Sequence, residues 1–362
     1  MNLIDVIEKD KCTGCMACKN VCPVNAIKIE RDTNGFQYPK INQTKCIHCN
    51  LCKKACPVVT TLKQQNNETK AYACKNKNTN VRMQSSSGGI FTLIAEDILD
   101  QKGVVFGAKF NPKFEVVHGY VMKKEELSIF RGSKYLQSKI GNSYKKVKEF
   151  LEEEKKVLFT GTPCQIEGLL SYLGKDYENL YTQDIICHGV PSPKVWKKYL
   201  EYKKQNKKIK EINFRKKDIL GWNNYQVNYK YENSEENIHH EKDIYMKLFL
   251  QNLILRQSCY SCNFKKINRK SDITLADFWG IDKVLPEFND EKGTSALIVH
   301  SKKGKEIFDR IKKHINFIEV NIEDIKKYNP CLCKSADYND NRKLFFKVFN
   351  KEGLKDAIEK FL

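Results

Sequence analysis

No run in this 362-residue sequence approaches the ~20 consecutive apolar residues that a membrane-crossing helix needs. Its first residues, MNLIDVIEKD, lack the apolar core and cleavage site of a secretory signal. The expected compartment is therefore the cytoplasm. Neither GxGxxG nor GxxxxGK followed by Ser or Thr occurs, so a Rossmann dinucleotide site and P-loop hydrolysis lack support. No defensible Ser-His-Asp set is present. Acid is also scarce: 44 Asp and Glu stand against 64 Lys and Arg, a formal charge of +20. The lysines are scattered, with no dense basic tail and no nucleic-acid reading motif, so a nucleic-acid partner is not expected. The basic balance suits anionic partners and phosphorylated cofactors instead.

What the sequence has in excess is cysteine, fifteen in all. In a long chain without a secretion signal, a disulfide framework is the wrong reading and metal is the better one. Eight fall in an internal repeat. Cys12, Cys15, Cys18 and Cys22 precede Pro23; Cys46, Cys49, Cys52 and Cys56 precede Pro57. This C-x-x-C-x-x-C-x-x-x-C-P run, written twice, is the spacing of two [4Fe-4S] clusters. Three close thiolates take one cubane, and the fourth reaches across to the other. Cys12, Cys15, Cys18 and Cys56 are assigned to one cluster, and Cys46, Cys49, Cys52 and Cys22 to the second. Small residues such as Gly14 and Ala17 keep these turns tight. Structural zinc rarely uses three cysteines at successive three-residue intervals. The module reads as an electron-transfer wire.

Four segments are expected: a dicluster ferredoxin-like domain over 1–60, a polar linker over 61–70, a mixed α/β domain over 71–335, and a helical tail over 336–362. The overall class is α+β/α/β. Apolar strands such as KVLFTG, LYTQDIIC, SDITLADFWG and SALIVHS alternate with helical stretches such as residues 90–99 and 144–155, which argues a parallel or mixed sheet covered by helices. Residues 214–233 read as a hairpin region and KLFLQNLILR as a helix.

Seven cysteines remain. Cys164 and Cys187 follow predicted strands, where α/β sheets place their chemistry. Cys259 and Cys262 form a C-x-x-C. These four suffice for a third [4Fe-4S] cluster, but spacing alone equally allows zinc at the C-x-x-C with two buried thiols. Cys74 reads as a packed strand residue; Cys331 and Cys333 are unassigned.

In order along the chain, SSSGGIFTLIAEDIL, GVVFGA, RGSKYLQS, FTGTPCQIEGL, ICHGVPSP, FRKKDILGW, LRQSCYSCNFK, SDITLADFWGI and GTSALIVHS resemble the beta-subunit family of coenzyme F-420 (deazaflavin) hydrogenases and dehydrogenases, in the form with a fused dicluster ferredoxin. The resemblance spans about residues 68 to 301. It implies a flavoprotein oxidoreductase that binds FAD in a mixed α/β flavin-binding domain, and it favours the third cluster on Cys164, Cys187, Cys259 and Cys262. Its implied partners are ferredoxin or another one-electron carrier and a small-molecule hydride acceptor or donor, deazaflavin being one candidate. Direction and substrate are not implied by the family name. The alternative is a non-catalytic electron-transfer subunit of a larger redox complex.

Within that resemblance, Ser86, Ser87, Gly88 and Gly89 precede a helix whose N–H groups and dipole suit the FAD pyrophosphate. Ser133, Lys134, Tyr135, Gln137 and Ser138 cluster polar groups. Lys134 is the expected catalytic residue, stabilising anionic reduced flavin near its N1–C2 oxygen. Gly161 and Thr162 form a second close-approach turn. Asp277 and Trp279 end a strand, the indole stacking or filling core. His188 either donates to a cofactor or steadies its turn.

Overall fold

The computed structural model describes residues 7–60, 69–204 and 207–362. Most of the expected linker, residues 61–68, lies outside them.

The cysteine repeat wraps a small hairpin, β1 (Ile27–Arg31) against β2 (Gln37–Ile41), antiparallel with Ile27 opposite Ile41. Asp32 closes its turn by accepting from the backbone N–H of Asn34 and Phe36. That turn delivers Phe36 into a buried cluster with Trp196, Tyr199 and Phe346. Each cysteine run ends in a short helix, Ala17–Val21 and Leu51–Lys54.

Eight further strands form one mixed sheet: β3 (Lys70–Asn76), β4 (Val104–Phe110), β5 (Val116–Val121), β6 (Val157–Thr160), β7 (Leu180–Ile185), β11 (Ile273–Asp277), β12 (Ser295–Val299) and β13 (Ile315–Val320). Their order is β13-β3-β12-β11-β7-β6-β4-β5. The centre, β11-β7-β6-β4, is parallel, and antiparallel pairs close both sides. The parallel strands are short, nearly continuous apolar runs because helices cover both faces. Ile90–Asp100 and Lys302–Ile311 pack on one face through Ile94, Ile98, Ile307 and Phe308. Ser143–Glu152 and Pro163–Leu173 pack near Phe106 and Phe159.

The expected hairpin over 214–233 belongs to a three-stranded antiparallel sheet, β8 (Ile209–Lys216), β9 (Gln226–Tyr231) and β10 (Glu235–His239). The helix expected in KLFLQNLILR starts earlier and stops sooner, at Ile244–Leu250, because Asp243 caps it through the Met246 N–H and Leu255 bridges to Pro191. The C-terminal stretch is two helices, Arg342–Lys351 and Leu354–Phe361, broken at Gly353 with φ 111°. It is no loose tail. Phe345, Phe346, Phe349 and Leu354 are buried in the cluster that holds Trp196 and Phe36.

Candidate metal and cofactor site

The two cysteine runs share a backbone pattern. The third and fifth positions of each take left-handed φ: Gly14 at 72° and Met16 at 66° in the first, His48 at 53° and Asn50 at 61° in the second. Holding non-glycine residues there costs on the order of 1 kcal/mol each, the kind of strain that persists at functional loops. Ala26 N–H donates to Cys22 Sγ at 3.2 Å.

Two small cavities lie between these loops. One is lined by Cys12, Cys15, Cys18 and Cys56, the other by Cys22, Cys46, Cys49 and Cys52. Each therefore gathers three thiols of one run and the last thiol of the other. An all-thiol set of four is a soft donor set, suited to iron–sulfur clusters. The first set is buried; Cys46 and Cys52 are half-buried and Cys49 is exposed. Burial pushes the Cys15 thiol up to about 12. An isolated thiol there would stay protonated and unreactive.

The first run also docks on the large domain. A Cβ on Gly168, in the helix Pro163–Leu173, would meet Cys15 Cβ and Sγ at 3.0 Å. Arg256, fully buried, donates to the carbonyls of Cys12 (2.7 Å) and Gln37 (2.9 Å), with its guanidinium 4.2 Å from the Tyr38 ring centre. Gln137 donates to the Thr13 carbonyl at 3.3 Å.

Beside this junction opens a cavity of about 380 Å3 at the C-terminal ends of β6, β7 and β11. Its wall includes Thr13 and Gly14 of the first cysteine run, and all four of Cys164, Cys187, Cys259 and Cys262. Neighbouring parallel strands β6 and β7 deliver Cys164 and Cys187, and the turn Gln257–Ser261 delivers the other pair. The four lie close enough for a charge on one to raise the next: burial, then Cys262 and Cys187, hold Cys164 well above the usual thiol range, and burial, then Cys259, push Cys187 up to about 12. Cys259 accepts from the Val190 N–H at 3.4 Å, and the Cys262 N–H is fixed by Ser335 Oγ at 2.8 Å.

The same wall holds Ser86, Ser87, Gly89, Ser133, Lys134, Tyr135, Gln137, Ser138, Gly161, Thr162, Asp277 and Trp279. Gly88 is the exception. It presses on the sheet, where a Cβ would meet the Cys74 carbonyl oxygen at 2.4 Å. The helix Ile90–Asp100 opens on the cavity without a side-chain cap, leaving first-turn N–H groups for a ligand. Gln183 Oε1 and Asn329 Nδ2, both in residues lining the cavity, are buried and unpartnered among the described residues.

Two expectations need correction, and one open alternative is decided. Lys134 does not present a free ammonium: its Nζ donates to the carbonyls of Arg131 (3.0 Å), Gly132 (3.1 Å) and Phe130 (3.4 Å), and burial lowers it to about 8. With its donors committed, it holds the turn at 130–132. The N–H groups of Gly161 and Thr162 are likewise taken, by the Gln183 carbonyl and by Gln165 Oε1. His188 donates to neither cofactor site; it bonds Asn252 Oδ1 at 2.7 Å and lies 3.7 Å from Cys331 Sγ. Its role is in the turn.

Sequence reasoning missed Arg215, Trp222 and His118. Arg215 pairs with Asp277 at 3.1 Å and bonds Tyr135 Oη at 3.3 Å; Trp222 stacks on Trp279 at 4.8 Å and donates to Asp277 at 2.9 Å. Burial works against the Arg215 charge, and Asp277 more than offsets it, raising its pKa. His118 bonds Ser138 Oγ and the Thr160 carbonyl, and burial lowers it to about 4. FRKKDILGW carried the first two in plain view. Nothing around His118 in the sequence marks it. Cys74 is fully buried in β3, as its strand setting implied.

Residues 11–60 match the model of the 4Fe-4S dicluster domain, and residues 154–325 that of the C terminus of the coenzyme F420 hydrogenase/dehydrogenase beta subunit. No curated protein matches significantly. Among solved structures, a chain of the F420-reducing [NiFe] hydrogenase complex from Methanosarcina barkeri aligns at 15% identity, over 83% of this chain and 94% of that one, with a TM-score of 0.47. Residues 154–325 of the chain are thus similar to the C terminus of the coenzyme F420 hydrogenase/dehydrogenase beta subunit, with a 4Fe-4S dicluster domain N-terminal to that region.

Proposed function

We propose that this chain is an iron–sulfur flavoprotein oxidoreductase that passes electrons between a one-electron carrier and a two-electron hydride acceptor or donor. The observation that carries the reading is the shared wall of the large cavity. The first cysteine loop, a second set of four thiols and an uncapped helix start all meet there.

In this reading Cys12, Cys15, Cys18 and Cys56 hold one [4Fe-4S] cluster, Cys22, Cys46, Cys49 and Cys52 a second, and Cys164, Cys187, Cys259 and Cys262 a third. FAD occupies the cavity and, when bound, supplies the exchange between one-electron and two-electron chemistry. The chain's own residues bind and orient. The N–H groups at Gly89–Phe91 take the pyrophosphate. Arg131, Lys134 and Lys265 leave the wall net positive, with Asp277 its one carboxylate among the described residues, itself neutralised by Arg215. Lys134 positions the loop that carries Ser133, whose N–H bonds Ser86 Oγ at 2.7 Å. Deazaflavin is one candidate for the two-electron partner.

Anaerobic purification followed by iron, zinc and flavin analysis tests this. About twelve irons and one FAD per chain is the expected result, four irons for each cluster. About eight irons without flavin would overturn the catalytic reading and leave an electron-transfer subunit.

A further inference from the structure

We propose that the surface formed by Val24, Ile47 and Leu51, with Lys45, Lys53 and Lys54 around it, is the docking face for a small acidic one-electron carrier protein. The inference rests on the cluster reading above and names the port and its partner.

The two cysteine cavities differ in what covers them. Cys12, Cys15, Cys18 and Cys56 are buried, and Cys15 packs directly against the large domain. The other cavity is walled by Val24, Ile47 and Leu51, and these apolar side chains are also exposed, Ile47 at 60%. Solvent-exposed apolar side chains directly over a ligand set are the centre of a contact patch. Electron transfer favours this end, since among the described residues the set reaches the surface, with Cys49 itself exposed.

Charge supplies the partner's chemistry. Residues 42–60 hold Lys45, Lys53 and Lys54 and no Asp or Glu, whereas in the other half of the repeat Lys9, Lys11 and Lys40 pair with Asp32, Glu8 and Glu30. None of the Lys45, Lys53 and Lys54 ammonium groups pairs with a carboxylate among the described residues. An apolar centre with an unneutralised cationic rim complements a carrier whose own cofactor is ringed by carboxylates. Each encounter moves one electron and makes or breaks no bond. The carrier is oxidised as the outer cluster is reduced, or the reverse.

The test uses the full-length holoprotein and an acidic plant-type [2Fe-2S] ferredoxin as probe. Two charge-matched variants are compared: Lys45→Glu/Lys53→Glu/Lys54→Glu, and Lys343→Glu/Lys347→Glu/Lys351→Glu on the C-terminal helix. Stopped-flow absorbance gives the rate of cluster reduction by the reduced probe, and isothermal titration gives binding of the oxidised probe. At low salt the outer variant should react about tenfold or more slowly and bind correspondingly weaker, while the distant variant stays within about twofold. Equal losses in both would show that net charge alone steers the probe and would overturn the docking face, as would no loss in the outer variant. Dithionite, which needs no docking, should bleach all three proteins alike. A wild-type protein that dithionite does not bleach would instead overturn the cluster reading beneath the proposal.

Discussion

The two cysteine runs use one spacing and one backbone pattern, yet they stand in opposite surroundings. Gly14 and His48 occupy the same place in the repeat, both at left-handed φ. At Gly14 the large domain leaves no room: a Cβ would sit 2.7 Å from Gln137 Nε2 and 3.1 Å from the Arg256 guanidinium. At His48 the surface is open, and an imidazole is tolerated at a conformational cost. A duplicated motif has thus become an inner and an outer half through packing alone. The inner half was fitted to a neighbour; the outer half kept a free face.

Exchanging these residues should separate the two halves most sharply. Gly14→His forces bulk into the junction and should cost about 2–3 kcal/mol or more in denaturant unfolding, while His48→Gly should be neutral or stabilise by up to about 1 kcal/mol. Similar losses in both would mean that the halves are equivalent. A separate effect, at the large cavity, is pH-dependent. Burial lowers His118 from 6.5 to about 4, so between these values the unfolded chain binds a proton that the folded chain refuses. Stability is full above pH 6.5 and falls as pH drops toward 4, by up to about 3 kcal/mol, in urea titrations of the holoprotein. His118→Asn should reduce that slope, leaving the part due to His300, which burial lowers to about 3. Gly168→Ala pushes the helix off Cys15 and should cost about 1–2 kcal/mol, without changing the iron content. Smallest is Lys54→Ala on the outer face: within about 0.5 kcal/mol in stability, with only a modest loss of probe binding.

How far the sequence carries follows the range of each interaction. The two groupings of four cysteines were legible because their spacing is local. The central strands were legible because burial on both faces writes them as apolar runs. The C-terminal helices read as a separate tail, since amphipathicity shows that Phe345 and Phe346 face something but not that Phe36 and Trp196 meet them. Cys164, Cys187, Cys259 and Cys262 span nearly a hundred residues of the chain, and only the sheet order brings them to one wall. Lys134 was misjudged for a different reason. A lysine in a polar loop reads as a free donor, and three carbonyls within four residues of it are invisible as acceptors until the turn folds.

The inner and outer assignment can be tested directly by electron paramagnetic resonance of the dithionite-reduced protein, with and without a water-soluble dysprosium chelate. Cys46→Ser and Cys12→Ser identify which signal belongs to which cluster. The signal lost in Cys46→Ser should relax strongly with the chelate, and the signal lost in Cys12→Ser should barely respond. Equal relaxation of both, or a stronger response from the cluster on Cys12, would contradict the account.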